Sequence, residues 1–266
     1  QGDALQASLK LGAKTRLMNG AWWTTTLCVP DEPVPRLSIM EKSFPGSCVV
    51  NKNGERFANE SQNYMAFQKE LFKAHSEDNP CAPAYHVFDA RFRRNYIVGP
   101  MMTASMKPDW TIPKKWYDTG FVAKANTVRE LADNLGVNAD GLEATVAKMN
   151  GYAETGVDLD FHRGESEYDR YYADPSIVPN PCLAPIVEAP FYAMRIEAGD
   201  FGTLGGLDTD NNANVIHEQG GTIEGLYAIG NCSAAILPTY PGPGATLGPA
   251  MTMAYQAAKA INNYQD

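Results

Sequence analysis

The residues best placed to do chemistry lie between Gly225 and Ala260, in GLYAIGNCSAAILPTYPGPGATLGPAMTMAYQAAKA. A short apolar strand, Leu226–Ile229, stops at Gly230-Asn231, and a loop then runs into Tyr240-Pro-Gly-Pro-Gly244. A helical pattern follows from about Ala245, with Thr246 and Leu247 in its opening turn. Proline fixes φ and lacks an N–H, whereas glycine lets a ligand approach the backbone, so the path from strand to helix is prescribed. The helix turns N–H groups and the positive end of its dipole toward whatever lies ahead of it. An electron-rich ring, or an oxygen acquiring negative charge, suits that place. Turn chemistry alone also accounts for such dipeptides, so an ordinary capped turn stays open on these residues by themselves. A second glycine-rich string, Gly199 to Gly206 with Gly205-Gly206 at its end, offers close backbone approach in the same way. A plain loop crossing between domains is the alternative there.

Several elements must carry these residues. Gly2–Ala13 reads as a helix closed by Gly12, and a proline-punctuated link, Val29–Pro35, marks a first crossing between domains. Ser43–Asn51, a turn at Asn53-Gly54 and Glu55–Glu60 carry a hairpin signal. Arg56 and Glu60 suggest an acid–base pair there, which contributes little if it is exposed. Ser61–His75 has Tyr64, Phe67, Leu71 and Phe72 at the spacing of an amphipathic helix, with Tyr64 as core by pattern alone. Ala84–Asp89 reads as a buried strand, followed by Arg91, Arg93 and Arg94 as a solvated or Asp-paired face. Helices follow over Thr127–Leu135 and Ala139–Glu154, with Thr127 and Asn138 as N-caps and Gly136 as a stop. Gly156–Pro190 is acidic and proline-rich, the composition and length of a lid or a mobile excursion. Ala189–Ile196 and Val215–His217 read as strands, with a turn at Gly220-Gly221.

Composition limits the function classes. A 266-residue chain that is 44% hydrophobic can bury one large core or two modest ones. A net charge of −9 argues against nucleic acid and anionic membrane as partners. Cys28, Cys48, Cys81, Cys182 and Cys232 are scattered and form no Cys-x-x-Cys pair, as expected of reduced thiols in a cytoplasmic protein. No apolar run approaches the ~18 residues that span a bilayer. His75, His86, His162 and His217 are isolated, so no metal site is expected.

Ala228–Asn231 followed by Tyr240–Ala250 resembles the C-terminal flavin-contacting segment of the FAD-dependent fumarate reductase/3-ketosteroid dehydrogenase superfamily, specifically its 3-ketosteroid Δ1-dehydrogenase branch. Pro45-Gly-Ser-x-x-Val-Asn-x-x-Gly-x-Arg-Phe-x-Asn-Glu60 is similar to the start of that family's substrate domain. The fumarate reductases differ at two places. They carry a catalytic Arg near their Asn-Arg-x-Gly-Gly-Asn string, whereas no Arg follows Arg195 here, and they tend to have His-Thr-Met-Gly-Gly where this chain has Phe201-Gly-Thr-Leu-Gly-Gly206. The resemblance implies an α/β plus α+β fold, with part of a Rossmann-like FAD-binding domain at residues 1–28 and 200–266. A substrate or cap domain of α+β type, residues 29–199, is inserted between them. It implies FAD as cofactor, with Gly205, Gly206, Gly230, Asn231, Ala245, Thr246 and Leu247 facing it. Gly2-Asp3 matches a segment about halfway along the family's full-length enzymes, and no Gly-x-Gly-x-x-Gly is present. The chain is therefore expected to be the C-terminal half of a flavoenzyme, partnered by the N-terminal half, and weak at holding FAD by itself.

The implied reaction removes two hydrogens from carbons 2 and 1 of a 3-oxosteroid, or of a related cyclic ketone. It needs a polarised carbonyl, a base for the α-proton and a hydride acceptor, and no side chain accepts hydride. By the resemblance, the Tyr240 hydroxyl and the Gly244 N–H polarise the ketone, and Tyr64 is the base or its relay. An ordinary tyrosine has a pKa of about 10, so roughly 4 kcal/mol opposes its ionisation at pH 7 and a positive neighbour or second tyrosine must help. The alternatives are a fumarate reductase-like flavoprotein acting on another cyclic ketone or enone, and a non-catalytic binding half-chain in which both tyrosines are core.

Overall fold

The structure, a computed structural model, describes residues 2–239, 242 and 244–262. In chain order its elements are α1 (Asp3–Lys10), β1 (Thr15–Arg16), β2 (Ala21–Leu27), β3 (Arg36–Ser38), β4 (Ser47–Val50), α2 (Tyr64–Ala74), β5 (Ala84–Phe88), α3 (Ala90–Asn95) and α4 (Lys114–Asp118). They continue with β6 (Val122–Ala125), α5 (Val128–Leu135), α6 (Ala139–Thr155), β7 (Phe191–Thr203), β8 (Gly206–Leu207), β9 (Asn214–Ile216), β10 (Thr222–Tyr227) and α7 (Leu247–Ile261). The fold is mixed α/β. Two compact units divide it: Thr24–Gly199, and Gln1–Trp23 together with Asp200–Asp266.

The Thr24–Gly199 unit is built on a sheet of order β3-β2-β7-β5-β4, with β6 also paired to β7. Each register the sheet shows between β2 and β3, β4 and β5, β5 and β7, and β6 and β7 is antiparallel. Side chains alternate across a strand with period two, and here both faces are covered. Val49 of β4 and Ala84 and Phe88 of β5 join a core with Phe67 and Leu71 of α2, Phe92 of α3 and Trp116 of α4. Cys48 and Val50, with Tyr85 and Val87, enter a second core with Leu131 of α5 and Leu142, Val146 and Met149 of α6. Every residue of β4 and β5 is consequently buried, which accounts for their continuous apolar character.

Helix ends follow their capping residues. Thr127 forms a capping box with Glu130, and Gly136 closes α5 in the left-handed region at φ 60°. Asn138 accepts from the Gly141 N–H at 2.8 Å and starts α6. Two expectations are corrected. Asn53-Gly54 makes no hairpin, and β4 pairs with β5 instead. The turn is used to dock on the N-terminus of α6: Asn138 N–H donates to Lys52 O at 3.0 Å and Thr145 Oγ1 to Gly54 O at 2.7 Å. The approach is so close that a Cβ on Gly141 would lie 2.0 Å from Asn53 O. The 156–190 segment, irregular as expected, is not an excursion. Cys182, Leu183, Ala184 and Ile186 are buried, and Asn180 Nδ2 holds Gly156 O and Arg163 O at 3.0 Å each.

In the other unit β1 pairs with β8 and β9 with β10, and Ala13, Leu207, Val215 and Ala228 form a small core. The basic turn after β5 is Asp-paired at Arg93, which stands 3.3 Å from Asp109. Arg94 meets Glu188 at 2.6 Å on the surface, but Arg93 is buried and donates to Met102 O at 3.0 Å and to Lys107 O.

Candidate active site

In the unit that contains α7, a crevice is walled by Leu204, Gly230, Asn231, Ala234, Ala245 and Thr246, among others. A local strand–turn–helix passage builds it. After β10 the chain turns at Gly230 with φ 57°, a left-handed conformation that suits glycine, and runs on through Ala234. Gly205 and Gly206 hold that wall in place. A Cβ on Gly206 would lie 2.6 Å from the Ser233 backbone, and one on Gly205 would lie 2.6 Å from Leu17 O. Ala234 N–H then donates to Leu207 O at 2.8 Å, and Ala235 N–H to Leu204 O at 2.9 Å. Neither of these two glycines lines the crevice itself.

The opposite wall is the start of α7. Thr246 is its N-cap and makes no side-chain cap bond, Ala245 is buried, and Leu247 is exposed. Gly244 adopts φ 91° and accepts from the Gly248 N–H at 2.8 Å. Gly230, Asn231, Ala245 and Thr246 are thus brought together, Gly244 and Leu247 adjoin them, and Tyr240 lies outside the described residues. Small side chains beside the positive end of a 15-residue helix suit the electron-rich edge of a flat ring, so in their chemistry these residues fit a flavin. Among the described residues, no three His, Cys, Asp or Glu side chains gather as a metal site.

Tyr64 belongs to the other unit. It is the first residue of α2, 5% exposed, just after the N-cap Asn63, whose Oδ1 accepts from Ala66 N–H at 2.9 Å. The loop before it is fastened to a charge cluster out of reach of solvent. Arg56 is bidentate to Glu60 (2.8 and 2.7 Å) and to Asp158 (3.1 and 2.8 Å). Arg163, fully buried, donates to Ser61 Oγ at 2.9 Å, Ser47 O at 2.8 Å and Phe44 O at 2.9 Å, and stands 3.4 Å from Glu60. Lys42 donates to Glu60 O at 3.1 Å and Ile39 O at 3.2 Å, with its ammonium 5.0 Å over the Phe67 ring.

The electrostatics follow from burial and pairing. Burial alone would raise the Glu60 pKa, but the Arg56 and Arg163 guanidiniums overcome it and hold it below the usual value. Asp158 is lowered in the same way, its burial outweighed by Arg56. Burial brings Lys42 down to about 8, with Glu41 opposing the shift, and takes His86 to about 3, leaving that imidazole neutral. The Arg56–Glu60 pair is the buried form of the two that the sequence allowed. Lys42, Asp158 and Arg163 were not singled out from sequence. Arg163 lies 103 residues from Glu60, with no local pattern to link the two.

A family model described as FAD binding domain matches residues 1–247. The chain is 45% identical over 265 residues to a 3-oxosteroid 1-dehydrogenase of Mycobacterium tuberculosis, covering 98% of this chain and 46% of that protein. It is 41% identical over 269 residues to a 4-oxocyclohexanecarboxylate 2-dehydrogenase of Sinomonas cyclohexanicum, covering 98% and 45%. A crystal structure of 3-ketosteroid Δ1-dehydrogenase from Sterolibacterium denitrificans, in complex with 1,4-androstadiene-3,17-dione, superposes with a TM-score of 0.92 at 43% identity. That match covers 99% of this chain and 47% of the other. The chain thus spans about half the length of the curated relatives it matches. The match across residues 1–247, on a structure whose small-residue crevice faces a helix N-terminus, assigns this chain to the FAD binding domain family.

Proposed function

We propose that this chain is the C-terminal half of an FAD-dependent 3-oxosteroid 1-dehydrogenase, which introduces a carbon 1–carbon 2 double bond into a 3-oxosteroid. The observation that carries the reading is the similarity of 98% of the chain, at 45% identity, to a 3-oxosteroid 1-dehydrogenase. On this reading residues 1–28 and 200–266 belong to a Rossmann-like FAD-binding domain and 29–199 to a substrate domain. An N-terminal half supplies the rest of the cofactor site, and the scattered thiols suit a reducing, cytoplasmic setting.

The residues of this chain divide the work. Gly230, Asn231, Ala245, Thr246 and Leu247 receive the edge of the cofactor ring, while Gly205 and Gly206 fix the wall that carries Gly230. FAD, when bound, supplies the acceptor for the hydride that leaves carbon 1. The Tyr240 hydroxyl and the Gly244 N–H bind the ketone oxygen, and losing one such donor costs about 3–4 kcal/mol of transition-state stabilisation. Tyr64 takes the proton from carbon 2.

A second reading is supported by the similarity to a 4-oxocyclohexanecarboxylate 2-dehydrogenase, whose name denotes a smaller cyclic ketone. Anaerobic addition of each compound to the FAD-loaded enzyme separates the two. A 3-oxo-4-ene steroid should bleach the flavin absorbance within seconds, and 4-oxocyclohexanecarboxylate should leave it unchanged. The reverse pattern would replace the first reading by the second.

A further inference from the structure

Lys42 is 2% exposed, and its ammonium meets no carboxylate at ion-pair distance among the described residues. Its donors go instead to backbone carbonyls: Ile39 at 3.2 Å, Glu60 at 3.1 Å and Gln62 at 3.5 Å. A buried cation with no counter-ion in contact is costly, and an apolar side chain of similar length would serve packing better. Its surroundings indicate what the charge does. Glu60 and Gln62 stand four and two residues before Tyr64, and Phe67, whose ring the ammonium overlies at 5.0 Å, stands three residues after it. Phe67 lies one turn along α2 from Tyr64, so the ammonium is held between the loop that enters α2 and the first turn of that helix.

We propose that Lys42 is a positioning residue for Tyr64: it clamps the loop that enters α2 and supplies the positive charge that favours the tyrosinate needed for proton removal. The inference rests on the reading of Tyr64 as the base. The charge adds to that of the helix N-terminus, where Tyr64 is the first residue. The groups facing Lys42 are Glu41, Arg163, Glu60 and Asp169; two of them, Glu60 and Arg163, are bound to each other and to Arg56 or backbone. With burial bringing its pKa to about 8, Lys42 remains mostly a cation at neutral pH. The clamp is mechanical as well as electrostatic. Arg163 on Ser61 Oγ and Asn63 on the Ala66 N–H hold the same five-residue approach from other sides.

The test follows the phenol itself rather than turnover. In FAD-loaded enzyme carrying tyrosine labelled with 13C at Cζ, the Tyr64 signal is assigned by its loss in Tyr64→Phe and titrated with pH. In the wild type its midpoint should fall below the ordinary value of about 10. Lys42→Gln should raise that midpoint by about one unit or more, a tenfold change in the ionisation equilibrium. Exchange of the steroid α-proton with solvent at pH 7 should fall about tenfold with it, while Lys42→Arg should keep both near wild type. A wild-type midpoint at or above about 10 overturns the proposal without any variant, so it stays testable if Lys42→Gln does not fold. An unmoved midpoint in folded Lys42→Gln overturns it too. If Tyr64→Phe retains α-proton exchange, the fault lies with the base assignment; if it loses exchange while Lys42→Gln leaves the midpoint unmoved, only the role of Lys42 is wrong.

Discussion

Asp158 and Glu60 share one guanidinium, and this sets what acid does to the chain. Both carboxylates have pKa values below their ordinary ones, because Arg56 and Arg163 outweigh the burial that would raise them. Their stabilisation is therefore complete above the unfolded values of about 4 and is lost as pH falls from there toward the folded values. Urea denaturation from pH 7 to pH 3 should show stability declining below about pH 4.5, and Asp158→Asn should flatten that decline. At pH 7 the same variant leaves Arg56 short of one partner and should cost about 3 kcal/mol. A loss under 1 kcal/mol would mean that the cluster is wetter than its burial indicates. The proposed mechanism gives Tyr64 and Tyr240 different roles. Tyr240→Phe should slow flavin reduction by steroid and α-proton exchange together. Tyr64→Phe should block exchange yet leave binding of a phenolic or ketone inhibitor nearly intact. Stopped-flow absorbance and deuterium exchange on both variants distinguish this from simple core packing, under which each would stay near wild type in rate and within about 1 kcal/mol in stability. At this scale the Tyr64 neighbourhood is only half legible in the sequence. Arg56 and Glu60 are four apart and visibly complementary, whereas Lys42 and Arg163 reach Tyr64's loop from distant segments with no local pattern to mark them.

Elements were legible where their signals are local. The caps of α5 and α6, the helix that holds Tyr64 and the buried strand β5 are written in residues within one turn or one strand of each other. So is the strand–turn–helix passage that brings Gly230 and Asn231 beside Ala245 and Thr246. Asn53-Gly54 misleads because Asn-Gly serves docking against α6 as well as it serves a hairpin, and only the partner decides. The 156–190 segment misleads because irregular backbone can be held by side chains such as Asn180. Helix α6 offers a test of the docking within one element. Gly151 has open space where a Cβ would stand, so Gly151→Ala should stabilise the chain by about 0.5–1 kcal/mol through helix propensity. Gly141, against Asn53 O, should respond in the opposite sense, with Gly141→Ala costing about 2 kcal/mol or more as turn and helix separate. Thermal unfolding of the pair reads both signs, and equal shifts would contradict the docked turn.

At the scale of the whole molecule, the proposed activity is desaturation of a ketone and not reduction of a dicarboxylate. Fumarate needs cationic groups for its two carboxylates, and this chain has no Arg after Arg195 and no His in Phe201-Gly-Thr-Leu-Gly-Gly206. The FAD-loaded enzyme with a viologen donor should leave fumarate unreduced, and measurable reduction would overturn the branch assignment. The central claim concerns which two hydrogens leave. The most direct measurement incubates the FAD-loaded enzyme with an artificial electron acceptor and a 3-oxo-4-ene steroid deuterated at carbons 1 and 2, and weighs the product. The account predicts a 1,4-dien-3-one that has lost one deuterium from each of those carbons. Unchanged steroid, or a product that keeps all its deuterium there, would contradict it.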